Sequence, residues 1–242
     1  MGVLQRSQPN THIMLYPPLT ASADFHWPHI AAVPVAECGA PLQTLPAHPR
    51  LRSRPVYFEQ GIAGAGAEIF LRAPVIERLL AALDALPEAY GFEVLDGWRS
   101  LAVQGALRES FRSQIVARHP EYDEAQIQTA LDQFVANPHR PGMTPPHLTG
   151  GSVDLTLFDT ASGQTLDMGT AFDEPSHRSH SSALEHEAPA PARQHRRILI
   201  HTMLAAGFTN LPTEWWHFDY GNQNWAYFSG AGQALFGAAH LP

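Results

Sequence analysis

Two imidazoles and two carboxylates in this 242-residue sequence have the types and spacing for hydrolysis: His147, Asp154, Glu214 and His217. Two histidines and one aspartate make a three-ligand metal set, and three protein ligands leave a position open for water. Glu214 lies three residues before His217, within reach of a water held there. This is the composition of a hydrolytic zinc site with one Zn2+ per chain. Taken singly, each residue also reads as structural: a strand-edge acid, a loop histidine, and two members of an aromatic strand.

The elements must bring these residues together. In Trp215-Trp216-His217-Phe218-Asp219, period two sends Trp215, His217 and Asp219 to one face and Trp216 and Phe218 to the other. Glu214 has the opposite parity to His217, so the two share a site only if Glu214 precedes the regular strand or sits at a bulge; Pro212 makes a non-regular entry plausible. Gly150-Gly151 lets the chain fold back between His147 and a strand Val153–Leu157, on which Asp154 takes the polar face. Upstream, Ala73-Pro74 opens a helix with Val75, Ile76, Leu79, Leu80, Leu83 and Leu86 at helical spacing, which Gly91 is expected to end. A short strand from Phe92 to Asp96 then delivers Gly97-Trp98-Arg99.

Helical patterns follow from Leu101 to Arg118 and from Tyr122 to Ala136. Asn137 to Pro146 is loop by composition and leads to His147. Thr160 to Arg193, with a turn at Ser162-Gly163, reads as a rim or lid, and its His177 and His180 as solvated. A helix resumes from Ala192 to Gly207. Glu214–Tyr220 and Trp225–Phe228 are expected to form a hairpin joined at Gly221-Asn222. Residues 1–60 carry prolines throughout and no sustained helical period, which predicts an extended arm, wrapped on a domain over 61–242 or partly loose; His26-Trp27-Pro28-His29 within it reads as a packed aromatic turn rather than a metal pair.

Composition removes several function classes. A net charge of −8 sets the average field against nucleic acid, and no apolar run reaches the roughly 18 residues of a membrane span. One cysteine, Cys38, excludes an intrachain disulfide framework and fits a reducing compartment; with no secretory signal visible, the default is cytoplasmic, although periplasmic proteins can also lack disulfides.

The combination of motifs resembles the D-alanyl-D-alanine dipeptidases of the vancomycin-resistance type, in the zinc D,D-peptidase, hedgehog-like superfamily. The family pattern Ser-x-His-x-x-Gly-x-Ala-x-Asp, then Glu-x-x-His, is met by His147, Gly150, Asp154, Glu214 and His217. The similarity runs from about Ala73 to Phe228 and takes in Asp96-Gly97-Trp98-Arg99, Met168-Gly169 and Phe172-Asp173. It implies that His147, Asp154 and His217 bind zinc, that Glu214 is general base and then acid, that Arg99 stabilises the oxyanion, and that Asp173 receives the free ammonium of a small peptide substrate. Asp96 reads either as a partner orienting Arg99 or as a turn cap. Pro145 stands where the pattern has Ser, and Ser152 where it has Ala. The fold expected is α+β, a small, mainly antiparallel sheet carrying the zinc site with helices packed on it. The rivals are a D,D- or L,D-carboxypeptidase acting on longer peptidoglycan peptides and a non-catalytic zinc-stabilised binding module.

Overall fold

In the computed structural model, which describes residues 16–21, 25–134, 141–187 and 190–241, the chain runs α1 (Trp27–Ala31), β1 (Leu42–Thr44), β2 (Leu51–Ser53), α2 (Val56–Glu59), β3 (Phe70–Arg72), α3 (Ala73–Ala85), β4 (Tyr90–Asp96), α4 (Leu101–Arg118), α5 (Glu124–Phe134), β5 (Ser152–Asp159), α6 (Pro191–Ala205), β6 (Thr209–Asn210), β7 (His217–Asp219) and α7 (Gln223–Ser229). The central sheet has the order β2-β4-β5-β7-β6, and every pairing but β2 with β4 is antiparallel. This is the small, mainly antiparallel α+β sheet expected. β1 and β3 form a separate two-stranded antiparallel sheet.

Alternation on β5 divides the molecule into an apolar and a chemical side. Val153, Leu155 and Leu157 join Phe92 and Val94 of β4 and Phe218 of β7 in the core, against Val75, Leu79 and Leu83 of α3 and Ile198, Leu199 and Met203 of α6. The opposite face carries Ser152, Asp154 and Thr156. The hairpin of α4 and α5 holds its own small cluster of Phe111, Ile115, Ile127 and Leu131. Ser100 caps α4, its hydroxyl accepting from the Val103 amide at 3.3 Å.

Two expectations change. Trp225–Phe228 is not the second arm of a hairpin but part of α7: the Asn222 side chain accepts from the Trp225 amide at 3.0 Å and Gly230, at φ 73°, closes the helix. The aromatic residues favour a strand locally, and the caps prevail. Gly91 does not end α3; it lies inside β4, where a Cβ would come within 2.4 Å of the Phe158 ring and 2.7 Å of the Arg50 carbonyl. The segment between β5 and α6, read as a rim or lid, is pinned in the manner of a rim. Two 3-10 turns, His177–Ser179 and Ala183–His186, lie within it, and the buried Arg196 donates to the carbonyls of Met168 at 2.7 Å and His180 at 2.8 Å. His177 is exposed and His180 partly buried.

The proline-rich stretch before residue 60 supplies β2, an edge of the central sheet, and α1 and α2. His26 and His29 meet edge to face, and Phe25 packs on Trp27 and on Phe228. Residues 1–15 of that stretch, 135–136 of the second expected helix and 137–140 of the loop after it lie outside the described residues. Among the described residues no helix is long and apolar enough to cross a membrane.

Candidate metal centre

Strand register brings the first three groups into line. Asp96 on β4 faces Asp154 on β5 across a bulge, and Asp154 faces His217 on β7. His147 arrives from a buried 3-10 turn, Pro146–Thr149, which Arg72 holds by donating from Nε to the Thr149 carbonyl at 2.8 Å. The ligand atoms of His147, Asp154 and His217 all lie within 4.8 Å of one another, and all three residues are buried. Nδ1 of His217 is 2.9 Å from Asp154 Oδ1, and Nε2 of His147 is 3.4 Å from Oδ2.

The outer nitrogens settle what the inner ones must be. His147 Nδ1 lies 2.7 Å from the Gly97 carbonyl, which can only accept, so that nitrogen carries the proton. His217 Nε2 donates to Asp219 Oδ2 at 3.0 Å. The remaining nitrogens, His147 Nε2 and His217 Nδ1, then turn lone pairs toward each other at 3.2 Å beside a carboxylate. Two lone pairs and a negative charge converging in a buried space require a cation, which is the donor set of a metal. Without a metal the need falls on protons. Burial alone would depress His217, but Asp219 and Asp154 outweigh it and lift the imidazole above the usual histidine range. Burial likewise opposes ionisation of Asp154, and His147 and His217 overcome it and hold the carboxyl below its usual range.

Asp219 was not singled out by its sequence context, yet it shares a strand face with His217 and is the best-satisfied carboxylate of the site. Oδ1 accepts from Ser152 Oγ and Asn222 Nδ2, both at 2.6 Å. Oδ2 accepts from His217 and, at 3.0 Å, from Asn224 Nδ2. Ser152, which stands where the pattern has Ala, thus has a task here: its hydroxyl secures Asp219.

Glu214 lies in the turn before β7, its amide donating to the Leu211 carbonyl at 3.0 Å, so the parity conflict with His217 is removed as required. Its Oε2 is 3.8 Å from His217 Nδ1. Burial pushes the carboxyl up to about 8, with Asp154 and Asp173 adding to the rise and His217 and Arg99 opposing it. Arg99 Nε lies 3.0 Å from Asp96 Oδ2, and the same oxygen is 3.1 Å from His147 Nδ1; these are charge contacts without hydrogen-bond geometry, since neither Asp96 Oδ2 nor Arg99 Nε has a hydrogen-bond partner among the described residues. Asp173 also reaches the site: its Oδ2 accepts from the Tyr57 hydroxyl at 2.7 Å, and burial pushes its carboxyl up to about 7. Arg99, His147, Asp154, Asp173, Glu214 and His217 line one cavity, whose other walls include Trp27 of α1 and Gln104, Leu107 and Phe111 of α4.

A buried metal-ligand set, a raised carboxyl and a guanidinium in one cavity can support addition of water to an amide carbonyl. The family model described as D-ala-D-ala dipeptidase, Peptidase_M15, matches residues 63–230. A D-alanyl-D-alanine dipeptidase of Synechocystis sp. is 34% identical over 220 residues, covering 81% of this chain and 88% of that protein. The chain belongs to the D-alanyl-D-alanine dipeptidase family of peptidases. A dipeptidase of Escherichia coli is 43% identical over a shorter stretch of 74 residues, 30% of this chain and 36% of that protein. Among solved structures, the vancomycin resistance D,D-pentapeptidase VanY in complex with Zn(II) aligns at a TM-score of 0.45 and 15% identity, over 84% of this chain and 96% of that one. The dipeptidase-family match contains Arg99, His147, Asp154, Asp173, Glu214 and His217 but starts after Tyr57, a wall of the cavity that no local sequence signal marked.

Proposed function

We propose that this chain is a zinc-dependent dipeptidase that hydrolyses D-Ala-D-Ala, or a similar D-configured dipeptide, to free amino acids. The observation that carries the reading is the meeting of His147, Asp154 and His217 with Glu214, Arg99 and Asp173 in one cavity. His147, Asp154 and His217 would hold one zinc ion. When bound, zinc supplies Lewis acidity, polarising a carbonyl and acidifying a water molecule to a pKa of about 7.

The protein's own groups do the rest. Glu214 takes the proton of the attacking water and passes it to the leaving amine, a task suited to a carboxyl whose proton affinity burial has raised. Arg99, in charge contact with Asp96, meets the negative charge growing on the carbonyl oxygen. Asp173 accepts the substrate's free ammonium. Trp27 of α1 and Gln104, Leu107 and Phe111 of α4 add walls to the cavity, and a bounded site with an acid for the ammonium suits a dipeptide better than the end of a long chain. In the cytoplasm, the compartment favoured by composition, the substrate would be a newly made or imported dipeptide.

The reading is tested by stripping the protein with a chelator and titrating zinc back while following D-alanine release. Activity should return with one equivalent per chain and fail to return in His217→Ala. Full activity in the stripped protein would refute it.

A further inference from the structure

Asp173 is the one non-glycine residue with positive φ among the described residues, at 60°. An L-residue is rarely found there, so surrounding contacts must hold it. Those contacts converge on Tyr57. Its hydroxyl donates to Asp173 Oδ2 at 2.7 Å, and among the described residues no other side chain hydrogen-bonds this carboxylate. Phe172, the preceding residue, has its ring centroid 5.8 Å from that of Tyr57 and 5.4 Å from that of Trp216. The Tyr57 ring also lies under the Arg99 guanidinium, with the central carbon 5.2 Å from the ring centroid. Tyr57 is itself buried, and burial followed by the charge of Asp173 raises the phenol well above its usual range, so it remains a donor.

We propose that Tyr57 is a positioning residue for substrate selection, holding Asp173 by one carboxylate oxygen so that the other is presented to the free ammonium of the dipeptide. The proposal rests on Asp173 being the ammonium acceptor. Asp173 and Arg99 line one cavity, and an unrestrained carboxylate would be drawn to the guanidinium and neutralised as a reader of ammonium. One feature opposes that pairing: the Tyr57 hydroxyl anchors Asp173. The stretch before residue 63, outside the family match, thereby completes the specificity site.

The test compares zinc-loaded wild type, Tyr57→Phe, Asp173→Asn and the double variant. Steady-state kinetics are run on D-Ala-D-Ala, with propionyl-D-alanine, which lacks only the ammonium, as competitive inhibitor. Tyr57→Phe keeps the buried ring, and KM and inhibition constants do not depend on the folded fraction. Loss of one charge-assisted hydrogen bond should raise KM for D-Ala-D-Ala by about tenfold, with a smaller change in kcat and an unmoved inhibition constant for propionyl-D-alanine. In the Asp173→Asn background, Tyr57→Phe should add nothing further. An unchanged KM in Tyr57→Phe while Asp173→Asn raises it would overturn the role of Tyr57 and leave the ammonium reading standing. An unchanged KM in Asp173→Asn would bring down both. A parallel rise in the propionyl-D-alanine constant, or multiplying effects in the double variant, would reduce Tyr57 to a structural residue.

Discussion

Side-chain chemistry here is organised by what lies behind each functional atom. Asp219 decides which nitrogen of His217 is free for a metal, and Ser152, Asn222 and Asn224 hold Asp219 in turn. Asp219→Asn should therefore weaken zinc binding by about 10- to 100-fold in a competition titration with a chromophoric chelator, with only a small change in the fold. Unchanged zinc affinity would show that the pair is structural. That His147, Asp154 and His217 come together, with Glu214 beside them, was legible in sequence because their spacing is a motif carried on few residues. Asp219 was half legible, by its parity with His217. Tyr57 was illegible, since a four-residue helix in a proline-rich stretch has no periodicity, and its partner Asp173 lies 116 residues away.

The elements that carry these residues were read where patterning is long and missed where end signals overrule it. α3 and α4 follow their apolar stripes, and β5 follows its alternation. α7 was mistaken for a strand because three aromatic residues outweigh two caps when only local propensity is read. The turn that delivers His147 ends at Gly150, whose φ is 69° and whose Cβ would sit 2.4 Å from Leu42 Cδ2. Gly150→Ala should cost about 1–2 kcal/mol from the backbone conformation and the repacking. It should lower the melting temperature by a few degrees and, by displacing the His147 turn, weaken zinc binding as well. A second element-level prediction concerns the wall that bears Asp173. Arg197 of α6 forms a two-pronged pair with Glu185, Nε to Oε1 at 2.8 Å and Nη2 to Oε2, and Glu185 also accepts from the Leu19 amide at 3.1 Å. These bonds, led by the one to Arg197, hold the Glu185 carboxyl below its ordinary 4.5. A lowered folded value means the stabilisation is complete above the unfolded pKa and is lost as pH falls through the folded one. Glu185→Gln should accordingly be less stable than wild type at pH 7, by about 2 kcal/mol, and the gap should narrow as the pH falls below the ordinary 4.5. A gap that persists unchanged in acid would assign the effect to packing.

At the scale of the whole molecule, one face of a small sheet is spent on a core with α3 and α6, and the other gathers charge that only a metal or bound protons can balance. Metal removal should thus be felt globally: zinc at 100 times its dissociation constant should add about 2.7 kcal/mol to the stability of the stripped protein. Calorimetry with and without chelator should show that rise, and a melting temperature indifferent to zinc would contradict the centre. The proline-rich stretch was read as an arm because composition cannot report that β2 pairs with β4, a partner about 40 residues away in sequence. Through Tyr57 and Trp27 it forms part of the wall of the cavity.

The central claim is tested most directly by D-alanine release from D-Ala-D-Ala and from a longer peptide ending in D-Ala-D-Ala, using zinc-loaded protein and Glu214→Gln. The dipeptide should be cleaved in strong preference to the longer peptide, with kcat lowered by at least about 100-fold in the variant. Cleavage mainly of the longer peptide, or an undiminished rate in Glu214→Gln, would contradict it.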